Sequence, residues 1–129
     1  MNEQSKVKEM KALIRDCFKS LRKDGMFARM NFFCCQTCAR YDIGKKAEEA
    51  KTKGKPFRGY VFYHNQDNEN FEKTGKFYLG FGGNEETEEN FTTKTWQIGN
   101  LVANRLKQFG LEIEWNNKPE TRIRVVGIQ

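Results

Sequence analysis

A single α+β domain, with about five strands in a mixed sheet and three helices, is the architecture these 129 residues predict. Three observations carry it. Two long segments repeat apolar residues at helical spacing. Short runs of aromatic and branched residues lie between them and alternate as strands do. The length is that of one domain around one core, and eleven phenylalanines supply the bulk. The domain spans residues 1–129, with an N-terminal helix at 3–23 and a core at 26–127.

The first helix places Val7, Met10, Ile14, Cys17, Phe18 and Leu21 on one face, and Asp24-Gly25 stops it. Cys17 falls on that apolar face and reads as core filler. "MFARMNFF", residues 26–33, alternates as a strand. "ARYDIGKKAEEAKTK", residues 39–53, reads as a helix stopped by Gly54 and Pro56, with Gly44 as a weak point. "RGYVFYH", residues 58–64, is apolar enough for a strand covered on both faces. The stretch "NQDNENFEKTG" reads as a polar loop with at most a helical turn. "KFYLGFGG", 76–83, is a third strand, followed by the acidic connection "NEETEENFTT". Residues 93–109 form the last helix, with Ile98, Leu101, Val102, Leu106 and Phe109 inward. "LEIEW" and "TRIRVV" flank the turn-forming "NNKPE" and predict a β-hairpin over 111–126. Glu112 and Glu114 are expected to face Arg122 and Arg124 across it.

Net charge is +6 and the isoelectric point about 9.2. A basic balance favours an acidic partner, but the basic residues are dispersed and no zinc-finger, RRM, KH or phosphate-loop motif is present. No apolar run reaches the roughly 18 residues of a membrane span. The N-terminus lacks the apolar stretch of a secretory signal. These features place the chain in the cytoplasm, where cysteines serve as free thiols, metal ligands or redox groups rather than as a disulfide framework.

Three of the four cysteines fall at Cys34, Cys35 and Cys38. Strand 26–33, helix 39–53 and strand 58–64 form a βαβ unit, so the two strands should be parallel with a right-handed crossover. "CCQTC" and "HNQD" (64–67) then follow the carboxyl ends of neighbouring strands, where open α/β sheets hold ligands. This topology brings His64 and Asp67 toward the thiols. Four chemistries fit. Cys34, Cys35, Cys38 and His64 form a zinc-like donor set with C-x-x-C spacing. Cys35 and Cys38 at a strand-to-helix junction suit a redox dithiol. A cysteine with His64 as base and Asp67 as orienter suits nucleophilic catalysis. The helix N-terminus, with Arg40, Arg58, His64 and Gln66 near it and Tyr41, Tyr60 or Tyr63 to stack, suits a small anionic ligand such as a nucleotide. The plain alternative is that the cysteines pack against the sheet edge and His64 is a structural residue.

"GMFARMNFFCCQTC", "RGYVFYHNQD", "KFYLGFGG" and "GLEIEWNNKPETRIRV" together resemble a bacterial family that shares a domain of unknown function. Its members carry F-x-CCQ-x-C and GYVF-[FY]-H-x-QD segments, a strand similar to "LYLAYG" and a closing hairpin similar to "GLEVEW…RI-V". The likeness runs in order from Gly25 to Val126. Carried over by position it marks Cys34, Cys35, Gln36, Cys38, Gly59, His64, Gln66 and Asp67. Ala39 stands where the family pattern has glycine. The resemblance implies a stand-alone copy of the domain and no particular activity.

The function class these features favour is a small non-enzymatic binding protein. Its Cys/His/Asp site would hold an anionic ligand, a metal such as zinc, or a partner protein, in the manner of an inhibitor, immunity or anti-defence protein. A cysteine-dependent enzyme and a nucleic-acid-binding module are the alternatives.

Overall fold

The computed structural model describes residues 3–84, 87 and 89–129. Along the chain it places α1 (Glu3–Lys23), β1 (Met26–Arg29), α2 (Gln36–Lys53), β2 (Gly59–Phe62), α3 (Asn65–Thr74), β3 (Phe77–Gly83), α4 (Phe91–Gln108), β4 (Leu111–Glu114) and β5 (Ile123–Ile128). The fold is α+β with a five-stranded mixed sheet in the order β1-β2-β3-β5-β4. Among the described residues there are four helices rather than the three expected. The extra one is α3, in the stretch read as a loop.

β1 and β2 are parallel, with Met26 opposite Gly59 and Arg29 opposite Phe62. The remaining pairs are antiparallel, and β4 and β5 form the expected C-terminal hairpin. β1 ends four residues earlier than its sequence suggests. Asn31 and Phe33 adopt left-handed backbone, with φ of 50° and 63°, and a strand cannot run through them.

The main core lies on one face of the sheet. There α1 contributes Val7, Met10, Ile14, Cys17, Phe18 and Leu21, all buried, against Leu79, Phe81, Ile123 and Val125. Val102 and Leu106 of α4 and Phe71 of α3 complete it. The helical periodicity of α1 and α4 is the direct cause, since each apolar stripe must be covered. α4 comes close to the sheet because Gly99 has no side chain. A Cβ there would stand 2.7 Å from the Phe81 ring.

On the opposite face, among the described residues, α2 is the helix that packs over β1 and β2. Only Ala39 and Ile43 of that helix are buried, against Phe27 and Phe62. Val61 enters the main core and Phe62 this smaller one. β2 is therefore covered on both sides, as its unbroken apolar sequence indicates. Gly82 makes room for the Tyr60 ring on this face; a Cβ would lie 2.5 Å from the phenolic oxygen. No described helix is long and apolar enough to cross a membrane.

Candidate thiol site

The parallel β1–β2 pair sets the site. Beyond the last paired residues, the Phe32 N–H donates to the Tyr63 carbonyl and the Asn65 N–H to the Phe33 carbonyl, both at 2.8 Å. "NFFCC" and "YHNQD" are therefore hydrogen-bonded neighbours at one sheet edge. Asn31 and Phe33 turn the chain out of the strand. For a bulky residue such as Phe33 this backbone is strained, by roughly 1–2 kcal/mol. Cys34 follows outside the helix, and Cys35 is the N-cap of α2, with φ −155° and ψ 171°. Cys38 is the third helical residue.

The turn gathers the three sulfurs. Cys34 Sγ lies 3.9 Å from Cys35 Sγ and 3.7 Å from Cys38 Sγ, and all three lie within 4.8 Å of one another. Cys34 and Cys38 are exposed and Cys35 is half-buried. None of the three is fully buried. Cys17, by contrast, is fully buried, and burial pushes its thiol up to about 12. The three clustered thiols are not equivalent. The backbone N–H groups of Cys38 and Thr37 face the Cys35 sulfur, short of full capping geometry. With the Cys38 and Cys34 thiols they hold Cys35 below its ordinary value. Hydrogen bonding to Cys34 and then Cys35, and their negative charge, push Cys38 up to about 11.

His64 and Asp67 take a different role. His64 is the N-cap of α3 and Asp67 its third residue, and the two form a reciprocal capping box. The Asp67 N–H donates to His64 Nδ1 and the His64 N–H to Asp67 Oδ2, each at 3.3 Å. An accepting Nδ1 leaves the ring proton on Nε2, which lies 3.2 Å from the same Oδ2. Both ring nitrogens thus face Asp67. Burial holds His64 below its usual value; the Asp67 charge opposes that shift and Arg122 adds to it. Among the described residues the metal-capable group is the three thiols, without His64.

Arg122, half-buried, completes the polar set. Its Nη2 donates to Asp67 Oδ2 at 2.7 Å and to the Tyr78 carbonyl at 2.9 Å. Its residue type signalled only a cross-strand pair with a glutamate. Arg124 makes such a pair, with Glu114 at 3.4 Å, while Arg122 instead pairs with the buried Asp67 carboxylate.

The remaining expected ligand contacts divide. Arg40 and Tyr41 stand exposed on α2, and Lys45 Nζ lies 4.7 Å from the centre of the Tyr41 ring. Arg40 also borders a cleft of about 220 Å³ between α2 and the sheet, with Ile43, Gly44, Phe57 and Tyr60. Gln66 is exposed on the first turn of α3. Tyr63 is not available to stack on a ligand. It is 1% exposed, packs on Phe71 and Phe77, and burial raises its hydroxyl strongly. Arg58 precedes β2, so it lies at the opposite sheet edge, where it donates to the Asp24 carbonyl. Ala39 is an ordinary helical residue with no tight turn around it; its methyl is buried against Phe27 and Phe62.

The match to known proteins runs along nearly the whole chain. A family model described as a domain of unknown function, DUF6891, covers residues 7–129, and the chain belongs to that family. No curated protein and no solved structure matches it.

Proposed function

We propose that the protein is a small binding protein that holds a thiophilic divalent metal ion, with zinc as the reference ion, on Cys34, Cys35 and Cys38. One observation carries this reading: the spacing of the sulfurs. A tetrahedral zinc with bonds of about 2.3 Å to thiolates separates adjacent sulfurs by about 3.8 Å. The two closest pairs here are 3.7 and 3.9 Å apart. All three sulfurs lie within 4.8 Å of one another, the arrangement of one donor set.

Three protein ligands leave a fourth position open, as in zinc sites that bind an exogenous donor. A water, a small thiol or a donor from a partner would complete the shell. An anionic ligand on the cationic residues is less well supported, because Arg58 and Tyr63 point elsewhere. Arg40 would remain to attract a negatively charged fourth donor from one turn along α2.

Titration of the reduced full-length protein with cobalt(II) tests this. A 1:1 complex with intense thiolate-to-cobalt absorption, displaced by zinc, is expected. Serine at any one of the three positions should weaken zinc binding at least about tenfold, as loss of a ligand does. Binding that survives all three single serine variants, or no thiolate-to-cobalt band at all, would overturn the proposal.

A further inference from the structure

We infer that Cys35 and Cys38 also form a dithiol that exchanges with low-molecular-weight disulfides, closing a Cys35–Cys38 bond. The observations are positional. Cys35 caps α2 and Cys38 stands three residues on, so their Cα atoms are about 5 Å apart by helix geometry. That separation lies inside the 4.4–6.8 Å window of a disulfide. Adjacent Cα atoms, about 3.8 Å apart, fall below it, which disfavours Cys34–Cys35. The Cys38 sulfur is exposed and that of Cys35 half-exposed, both within 4.8 Å of each other. As the N-cap of α2, Cys35 stands at the helix N-terminus, where a thiolate is favoured.

The chemistry balances with one external disulfide, RS–SR. The Cys35 thiolate attacks one sulfur, the S–S bond breaks, and a Cys35–SR mixed disulfide forms as RS⁻ departs. Cys38, deprotonated, then attacks Cys35 Sγ. The Cys35–Cys38 bond forms and the second RS⁻ leaves. The two protein thiols are oxidised, the reagent is reduced to two thiols, and the two protons lost by the cysteines end on them. Closing this bond removes two of the three metal ligands, so oxidation would expel a bound ion. That last consequence rests on the metal reading; the exchange itself does not.

The test is incubation of metal-free full-length protein with oxidised glutathione, followed by non-reducing mass analysis. Tryptic peptide 30–40 holds all three clustered cysteines and Cys17 lies on another. Wild type should lose two hydrogens in peptide 30–40 while Cys17 stays unmodified. Cys34→Ser should do the same. Cys38→Ser should stop at the mixed disulfide, and Cys35→Ser should slow the reaction about tenfold or more. Only mixed disulfides in wild type, or loss of the internal bond in Cys34→Ser, would overturn the dithiol. Zinc-loaded protein, assayed in parallel, should release its ion as the bond closes. Failure to load zinc while metal-free exchange proceeds would sink the metal reading alone. Zinc loading without exchange would sink this one.

Discussion

Residues 31–38 and 64–67 sit side by side after two parallel strands, and their chemistry is opposite. In the second segment the polar groups are partnered: His64 caps α3, and Asp67 takes the His64 N–H and Arg122. In the first, three sulfurs, two exposed and one half-buried, face one another on backbone that includes a left-handed phenylalanine. Both segments looked reactive by residue type. What separates a site from a scaffold is whether the donors and acceptors are already used. The two are also coupled. The first N–H of α3, from Asn65, has no partner inside its helix and is spent on the Phe33 carbonyl. The satisfied segment thereby pins the strained one.

The contrast can be tested by substitution. Asp67→Ala should have the largest effect. It strands Arg122 and removes half the capping box, lowering stability by about 3 kcal/mol in urea unfolding. A loss below about 1 kcal/mol would mean that Asp67 is not structural. Cys17→Ser should come next, at about 2 kcal/mol, because it buries a hydroxyl in an apolar core. pH should have a smaller effect, through His64. Its folded value is depressed, so the unfolded chain binds the proton more readily. Its contribution is full above the unfolded value of about 6.5 and is lost as pH falls below it. Unfolding at pH 7.5 and 5.5 should show this loss in wild type and a smaller one in His64→Gln; equal losses would count against it. Serine at Cys34, Cys35 or Cys38 should have the least effect, within about 0.5 kcal/mol each in metal-free protein. A larger loss would place those side chains in the structural class with Asp67.

Much of this arrangement was legible in the sequence. The βαβ order alone placed "CCQTC" beside "HNQD", because parallel strands align their carboxyl ends. α1 was legible because its apolar stripe is long and regular. α3 was not: its ten residues bury only Phe71 and Asp67, too few to show a period. Its start signal was present but unusual, a histidine where capping boxes ordinarily have serine or threonine. The direction of the His64 side chain was equally hidden. Topology places a backbone, whereas the direction of the His64 side chain follows from the capping box it forms with Asp67, three residues on. The start of α2 at Gln36, rather than 39, put Cys38 inside the helix. No apolar residue in the first three positions marks that turn.

The position of α2 has a kinetic consequence. A helix whose buried residues are Ala39 and Ile43 should open before the main core unfolds. Cys34 lies before that helix and Cys38 within it, so an ion shared by both would tie the helix to the fixed end of β1. Each opening would then have to release the ion, which raises its free energy by RT ln(1 + [L]/Kd). Occupancy of three sulfurs would therefore be legible at a distance, as slower amide exchange and slower tryptic cleavage along the lysine-rich length of α2.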